Sequence, residues 1–186
     1  MSKPIVVACS MDASFGGKFD TVTLAHRCRR GASTPSPLTL AVTTDPISGV
    51  RDGLVKRPET DGLIFESDTE NEFYNMRASL NVADGIRRPV SLPKNVRLYF
   101  LSGFQHGGNN PPDNFPGPAG MCENPTNPNY HGPTVRALLM ALDAWADKGI
   151  EPPESNYPRL RAQTLVTLET AQKVFPNIPS VTFPRC

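Results

Sequence analysis

Val96-Arg-Leu-Tyr-Phe-Leu-Ser-Gly-Phe-Gln-His106-Gly-Gly108 is the stretch that points most directly to the fold of this chain. Residues 96–101 are mostly aliphatic, aromatic or β-branched, which is typical of a buried strand. His106 follows in a loop whose glycines allow the backbone to turn sharply. Because ligands and chemistry gather at the carboxyl ends of strands in open α/β sheets, His106 is a candidate general base. A loop histidine considered alone is more often a surface or hydrogen-bonding residue.

The composition favours one domain with much irregular structure. The chain has 186 residues, of which 38% are hydrophobic, and it contains 20 prolines and 14 glycines. Its 19 basic and 18 acidic residues give a net charge of +1, so we expect neither nucleic acid nor an anionic membrane as a partner. No apolar run approaches the roughly 20 residues that span a bilayer, and the first apolar segment is too short for a secretory signal.

The cysteines do not indicate a disulfide framework or a zinc ribbon, because they are few and widely spaced. His26 and Cys28 would supply only two ligands, whereas zinc sites need three or four. We therefore expect no metal and no other cofactor. Pairing and compartment stay open for the four cysteines, which are Cys9, Cys28, Cys122 and Cys186.

Three short apolar runs predict strands, at residues 4–9, 62–65 and 96–101. Together they would form a short parallel sheet with crossover helices. The inner edge of such a sheet would be unpaired, and unpaired edges recruit partners. We therefore predict association with a second polypeptide or with another copy of the chain.

The clearest helix is predicted over residues 133–148, where proline opens an apolar stripe and Gly149 ends it. Trp145 on that stripe is expected in the core. Residues 73–80 predict a second helix with a partly apolar face. Residues 107–132 are rich in proline and glycine, and so predict a long loop that could line a substrate pocket.

A cluster of carboxylates follows the second predicted strand directly, as the histidine follows the third. Negative charge at a helix N-terminus is stabilising by about 0.3 to 1 kcal/mol, which is a purely structural reason for the cluster. Its position after a strand still makes one member a candidate partner for the histidine. The cluster comprises Glu66, Asp68, Glu70 and Glu72.

A set of ordered motifs makes this chain resemble the C-terminal portion of a bacterial family of α/β-hydrolase domain-containing proteins. They extend over most of residues 40–180, while residues 1–40 match only loosely. The motifs are Thr43-Thr-Asp-Pro, Asp52-Gly-Leu, Asn71-Glu-Phe-Tyr, Arg77-Ala-Ser-Leu, Pro93-x-Asn-Val-Arg-x-Tyr, Gly103-Phe-Gln-His-Gly, Cys122-Glu-Asn-Pro-Thr-Asn-Pro, Arg136-Ala-Leu-Leu-Met-Ala-Leu-Asp-Ala-Trp, Gly149-Ile-Glu-Pro-Pro and Tyr157-Pro-Arg-Leu.

The resemblance implies an α/β fold in which residues 1–186 form a single partial hydrolase domain. It implies a serine hydrolase that acts on a carboxylic ester or a related acyl bond of a small molecule. His106 matches the catalytic histidine and Glu72 the triad acid, with Asp68 and Glu70 as alternative acids. In such a triad the histidine takes the serine proton, and the carboxylate fixes its tautomer.

The sequence also departs from the family, because no serine has a glycine two places away on both sides. The Gly-x-Ser-x-Gly elbow that carries the nucleophile is therefore expected outside this chain. A second interpretation is a catalytically inactive structural or binding module that has kept this half of the sheet. A third is a cysteine nucleophile, Cys122, activated by His106 or His131.

Overall fold

The structure, a computed structural model, describes residues 5–9, 39–46, 48–57, 59–75, 78–104, 106, 127–179 and 183. The chain divides into two compact units. The first comprises the described parts of Met1–Ala13, Pro58–Glu72 and Lys94–Tyr157, and the second those of Ser14–Arg57, Phe73–Pro93 and Pro158–Cys186. The expectation of a single partial domain over residues 1–186 stays a prediction.

The described residues form five strands, two α-helices and two short turns of other helix types. The strands are β1 (Ile5–Cys9), β2 (Thr43–Thr44), β3 (Arg51–Asp52), β4 (Leu63–Asp68) and β5 (Val96–Phe100). The α-helices are α1 (Gly132–Lys148) and α2 (Leu168–Val174), and the short turns are a π-helical turn (Asn71–Asn75) and a 3₁₀ turn (Ala78–Asn81). In this part of the chain, no helix is both long and apolar enough to cross a membrane.

The first unit is built on a parallel sheet in the order β1-β4-β5, which confirms the predicted α/β class. All three predicted strands are present. β4 is longer than the apolar run at residues 62–65, because Glu66 and Ser67 pair with both neighbouring strands and Asp68 pairs with β5. The first members of the predicted carboxylate cluster therefore lie inside the strand rather than after it.

The helix α1 packs on one face of this sheet through the apolar stripe predicted from the sequence. Leu142 is 1% exposed and joins a buried cluster with Leu63, Phe65, Tyr99 and Leu101. Trp145 packs against the same cluster, as expected, with its ring centroid 6.0 Å from that of Phe65. The helix ends at Gly149, whose φ of 68° is the left-handed conformation that glycine adopts without strain.

The two outer edges of the sheet differ. Beyond β5 runs an extended segment in which Asn156 pairs with Tyr99, and the Phe100 amide donates to the Asn156 carbonyl at 2.7 Å. Beyond β1 no further strand pairs within the residues that the structure describes. Among the described residues, β5 therefore has a neighbour on both sides and β1 on one side only.

The helix predicted over residues 73–80 is wrong as an α-helix, because the chain forms the π-helical turn and then the 3₁₀ turn there. Ser79 and Asn81 are buried in the 3₁₀ turn, and neither residue type favours a helix interior. The side-chain oxygen of Asn81 accepts a hydrogen bond of 2.9 Å from the Leu40 amide. A long-range bond of this kind has no local sequence signal.

The second unit also contains the hairpin β2-β3 and the helix α2. The Asp45 carboxylate accepts hydrogen bonds from the Ser48 amide at 3.0 Å and the Ser48 hydroxyl at 2.5 Å, which closes the hairpin turn. Thr167 caps α2 by accepting from the Thr170 amide at 3.2 Å. Both elements are stabilised by short polar side chains at their ends.

Candidate active site

The candidate site lies at the carboxyl ends of two neighbouring parallel strands. β4 leads into the segment that contains Glu72, and β5 leads into the loop that contains His106. The Nδ1 atom of His106 forms a hydrogen bond with the Oε1 atom of Glu72. The structure thus brings together the histidine and the first-choice acid of the sequence analysis, 34 residues apart in the chain. Their catalytic roles remain a prediction.

Thr69 fixes the Glu72 carboxylate from the other side. Its backbone amide donates to Oε2 of Glu72 at 2.8 Å, and its hydroxyl donates to the same oxygen. A glutamate that bonds back to the amide three residues earlier is one half of a capping box. This role of Thr69 was not among the predictions, although the spacing Thr69-x-x-Glu72 is the sequence signal for it.

The environment of Glu72 favours the ionised carboxylate. The residue is only 4% exposed, and this burial raises its pKa. The hydrogen bonds from Thr69 and His106 act in the opposite direction and outweigh burial, so that the pKa of Glu72 lies below its usual value. A buried carboxylate that accepts several hydrogen bonds is a strong, well-oriented acceptor for a histidine N–H.

His106 is held on one side and open on the other. Its side chain is 36% exposed, while Nδ1 faces the buried carboxylate. With the proton on Nδ1, the free lone pair is on Nε2, and no side chain or backbone group in the described part of the chain bonds to that atom. An imidazole oriented in this way is able to accept a proton from a nucleophile placed near Nε2.

Asp68 is not the acid that contacts His106. It is fully buried at the end of β4, and neither carboxylate oxygen has a hydrogen-bond partner among the described residues. Burial, together with the negative charges of Glu66 and Glu72, raises the pKa of Asp68 to about 8. Asp68 therefore keeps its proton at neutral pH and lacks the charge that would stabilise an imidazolium.

Glu70 does not contact the imidazole either, but binds the turn from which the histidine loop begins. Its Oε1 atom accepts from the Ser102 hydroxyl at 2.9 Å and from the Gly103 amide at 2.6 Å. Asn127 and Asn129 donate to the carbonyl of Gly103 at 3.0 and 2.8 Å. These contacts join segments far apart in the chain, so periodicity and composition gave no indication of them.

Several predicted features lie outside the described residues. Residues 107–126, which form most of the predicted loop and include Cys122, are among them, as are His26, Cys28 and Cys186. Within the described part of the chain, no three His, Cys, Asp or Glu side chains are grouped so that they could hold a metal ion. The candidate site therefore rests on Glu72 and His106, both of which are among the described residues.

Comparison with known proteins identifies the family of the chain. A family model described as alpha/beta hydrolase domain matches residues 19–174, which is well over half of the chain. A search of curated proteins finds no match. A search of solved structures likewise finds none. The chain belongs to the alpha/beta hydrolase domain family.

Proposed function

We propose that this chain supplies the acid and the histidine of a serine hydrolase that cleaves a carboxylic ester or a related acyl bond of a small molecule. The observation that carries the proposal is the hydrogen bond between Glu72 and His106, at the carboxyl edge of the sheet in a chain of this family. Anchoring by Thr69 and an ionised Glu72 support the same role.

In the proposed reaction, Nε2 of His106 removes the proton from a serine hydroxyl as its oxygen attacks the acyl carbon. The imidazolium then gives this proton to the leaving alcohol, and an acyl-serine remains. Water, deprotonated by the same nitrogen, attacks the acyl-serine and releases the carboxylic acid and the free serine. Glu72 stays ionised throughout, and it stabilises the imidazolium through Nδ1.

The nucleophile and the oxyanion hole come, in this proposal, from a polypeptide segment outside these 186 residues. Two observations support it. No serine here lies in a Gly-x-Ser-x-Gly elbow, and β1 has no second neighbour among the described strands. A segment or second chain that pairs with β1 would extend the sheet and would place an elbow at the same edge as His106.

The experiment is to purify the tagged chain from its own cells with its associated polypeptides, and to treat the sample with a fluorophosphonate probe. We expect the probe to label a serine outside residues 1–186, and the sample to hydrolyse p-nitrophenyl acetate. His106→Ala and Glu72→Gln should each abolish most labelling. Glu154→Gln, which removes an exposed carboxylate from the same unit, is the matched control and should not.

Three other results would refute the proposal in different ways. A folded, native sample in which no serine is labelled and no ester is hydrolysed would favour the inactive binding module. Hydrolysis that is blocked by iodoacetamide at Cys122, with no labelled serine, would favour the cysteine nucleophile. Retention of full labelling in His106→Ala would exclude His106 as the base.

A further inference from the structure

We infer that Glu70 is a positioning residue that sets the place of His106 by holding the turn at Ser102 and Gly103. The inference rests on the proposed function for its effect on catalysis, but its structural part stands on contacts of its own. Glu70 does not touch the imidazole, so it would act only through the backbone that leads to His106.

The first observation is that two donors of the turn converge on one oxygen of Glu70. The Ser102 hydroxyl lies 2.9 Å and the Gly103 amide 2.6 Å from Oε1. Hydrogen bonds to an ionised acceptor are shorter and stronger than neutral ones. The carboxylate therefore fixes both the side chain and the backbone at the start of the histidine loop.

The second observation is that the next peptide group of the same turn, between Gly103 and Phe104, is also held. The carbonyl of Gly103 accepts from the side chains of Asn127 and Asn129. The two asparagines are also joined to each other, since the backbone N–H of Asn129 donates to the side-chain oxygen of Asn127 at 2.9 Å. The φ of Gly103 is +77°, a conformation in which other L-residues are strained. Four hydrogen bonds thus hold a turn that lies three residues before His106, and a fifth joins the two asparagines.

The third observation is that Glu70 and Glu72 belong to one short segment. Glu72 bonds to the imidazole, and Glu70 bonds to the turn that lies three residues before His106. Thr69 fixes Glu72 within the same segment. Glu72 and the turn before His106 are therefore both held by the segment 69–72. Loss of the Glu70 contacts should let the histidine move relative to Glu72. Displacements of about 1 Å at a catalytic group can cost on the order of 100-fold in rate.

The test compares Glu70→Ala with Glu70→Gln. Both donors use a single oxygen, so glutamine can replace that acceptor while alanine cannot. Long-range ¹H–¹⁵N spectra of the histidines report whether the proton of His106 stays on Nδ1. We expect the Nδ1–H signal to be lost in Glu70→Ala and kept in Glu70→Gln. In the native complex, kcat should fall about 10- to 100-fold for Glu70→Ala with KM changed less than about 3-fold.

Ser102→Ala removes one donor only, and should weaken the Nδ1–H signal less than Glu70→Ala does. Glu154→Gln is the control for charge loss, and circular dichroism checks that each variant folds. An unchanged Nδ1–H signal in folded Glu70→Ala would overturn the inference, as would equal loss in the glutamine variant. If the wild-type complex hydrolyses no ester, the proposed function fails, while loss of the signal in Glu70→Ala and its retention in Glu70→Gln would still support the positioning role.

Discussion

Asp68 gives a prediction about stability that can be worked through quantitatively. Its carboxyl group is fully buried and has no partner in the described part of the chain, and its pKa is raised from 3.8 to about 8. Burial is the main cause, followed by the negative charges of Glu66 and Glu72. Asp68→Asn keeps the shape of the side chain but cannot ionise. It should therefore remove the free-energy cost that the wild-type carboxyl imposes as pH rises.

The size of that cost follows from proton linkage. In the unfolded chain Asp68 loses its proton near pH 4, whereas in the folded chain it keeps the proton up to about pH 8. Between these values the folded state binds more protons, so stability falls with rising pH by up to about 1.4 kcal/mol per unit. The free energy of unfolding of Asp68→Asn should equal that of wild type below about pH 4. It should exceed the wild-type value by on the order of 4 kcal/mol at pH 7, and the difference should level off above about pH 8.

The assay is urea unfolding of wild type and Asp68→Asn from pH 4 to 9, followed by circular dichroism. Asp147→Asn, at an exposed position on α1, is the matched control and should change the free energy of unfolding by less than about 0.5 kcal/mol. A difference between Asp68→Asn and wild type that does not vary with pH would refute the reasoning. So would a variant that is less stable than wild type at pH 7.

Three further predictions concern the site and the core. Glu72→Gln should lower kcat for ester hydrolysis by the native complex on the order of 10⁴-fold, because an amide favours the wrong tautomer of His106; steady-state kinetics measure this. Thr69→Val should raise the pKa of Glu72, because a hydrogen bond that opposes the effect of burial is lost; a ¹³C NMR titration of the carboxyl group would show no shift if the account is wrong. Leu142→Ala should cost about 2 to 5 kcal/mol in urea unfolding through the cavity it leaves against the sheet, and a loss below about 1 kcal/mol would contradict the packing described.

Much of the first unit could be predicted because its signals are local. Residues 96–100 are a short run of mainly apolar residues between proline-containing and glycine-containing segments, and α1 has a proline near its start and a glycine at its end. The parallel arrangement was implied by the family resemblance. The extension of β4 through Glu66 to Asp68 could not be predicted in the same way, because acidic residues are rare in central strands. It is revealed only by the pairing of Glu66 and Ser67 with both neighbouring strands and of Asp68 with β5.

The site was predicted in part for the same reason. His106 and Glu72 could be proposed because each follows a strand, and neighbouring parallel strands end at the same edge. The choice among the candidate acids rested on the resemblance alone, whereas the structure distinguishes them by contact. The role of Thr69 could have been predicted from its spacing to Glu72. The contact of Glu70 with Gly103 could not, because the two residues are 33 apart and no local sequence pattern indicates it.

The hydrogen bond between Glu72 and the Nδ1 atom of His106 is the claim on which the hydrolase interpretation depends. Long-range ¹H–¹⁵N spectra of the wild-type chain at neutral pH, with His106→Ala used to assign the signal, measure it directly. We expect His106 to carry its proton on Nδ1, with a downfield proton resonance that disappears in Glu72→Gln. A proton on Nε2, or a spectrum that Glu72→Gln leaves unchanged, would contradict the account.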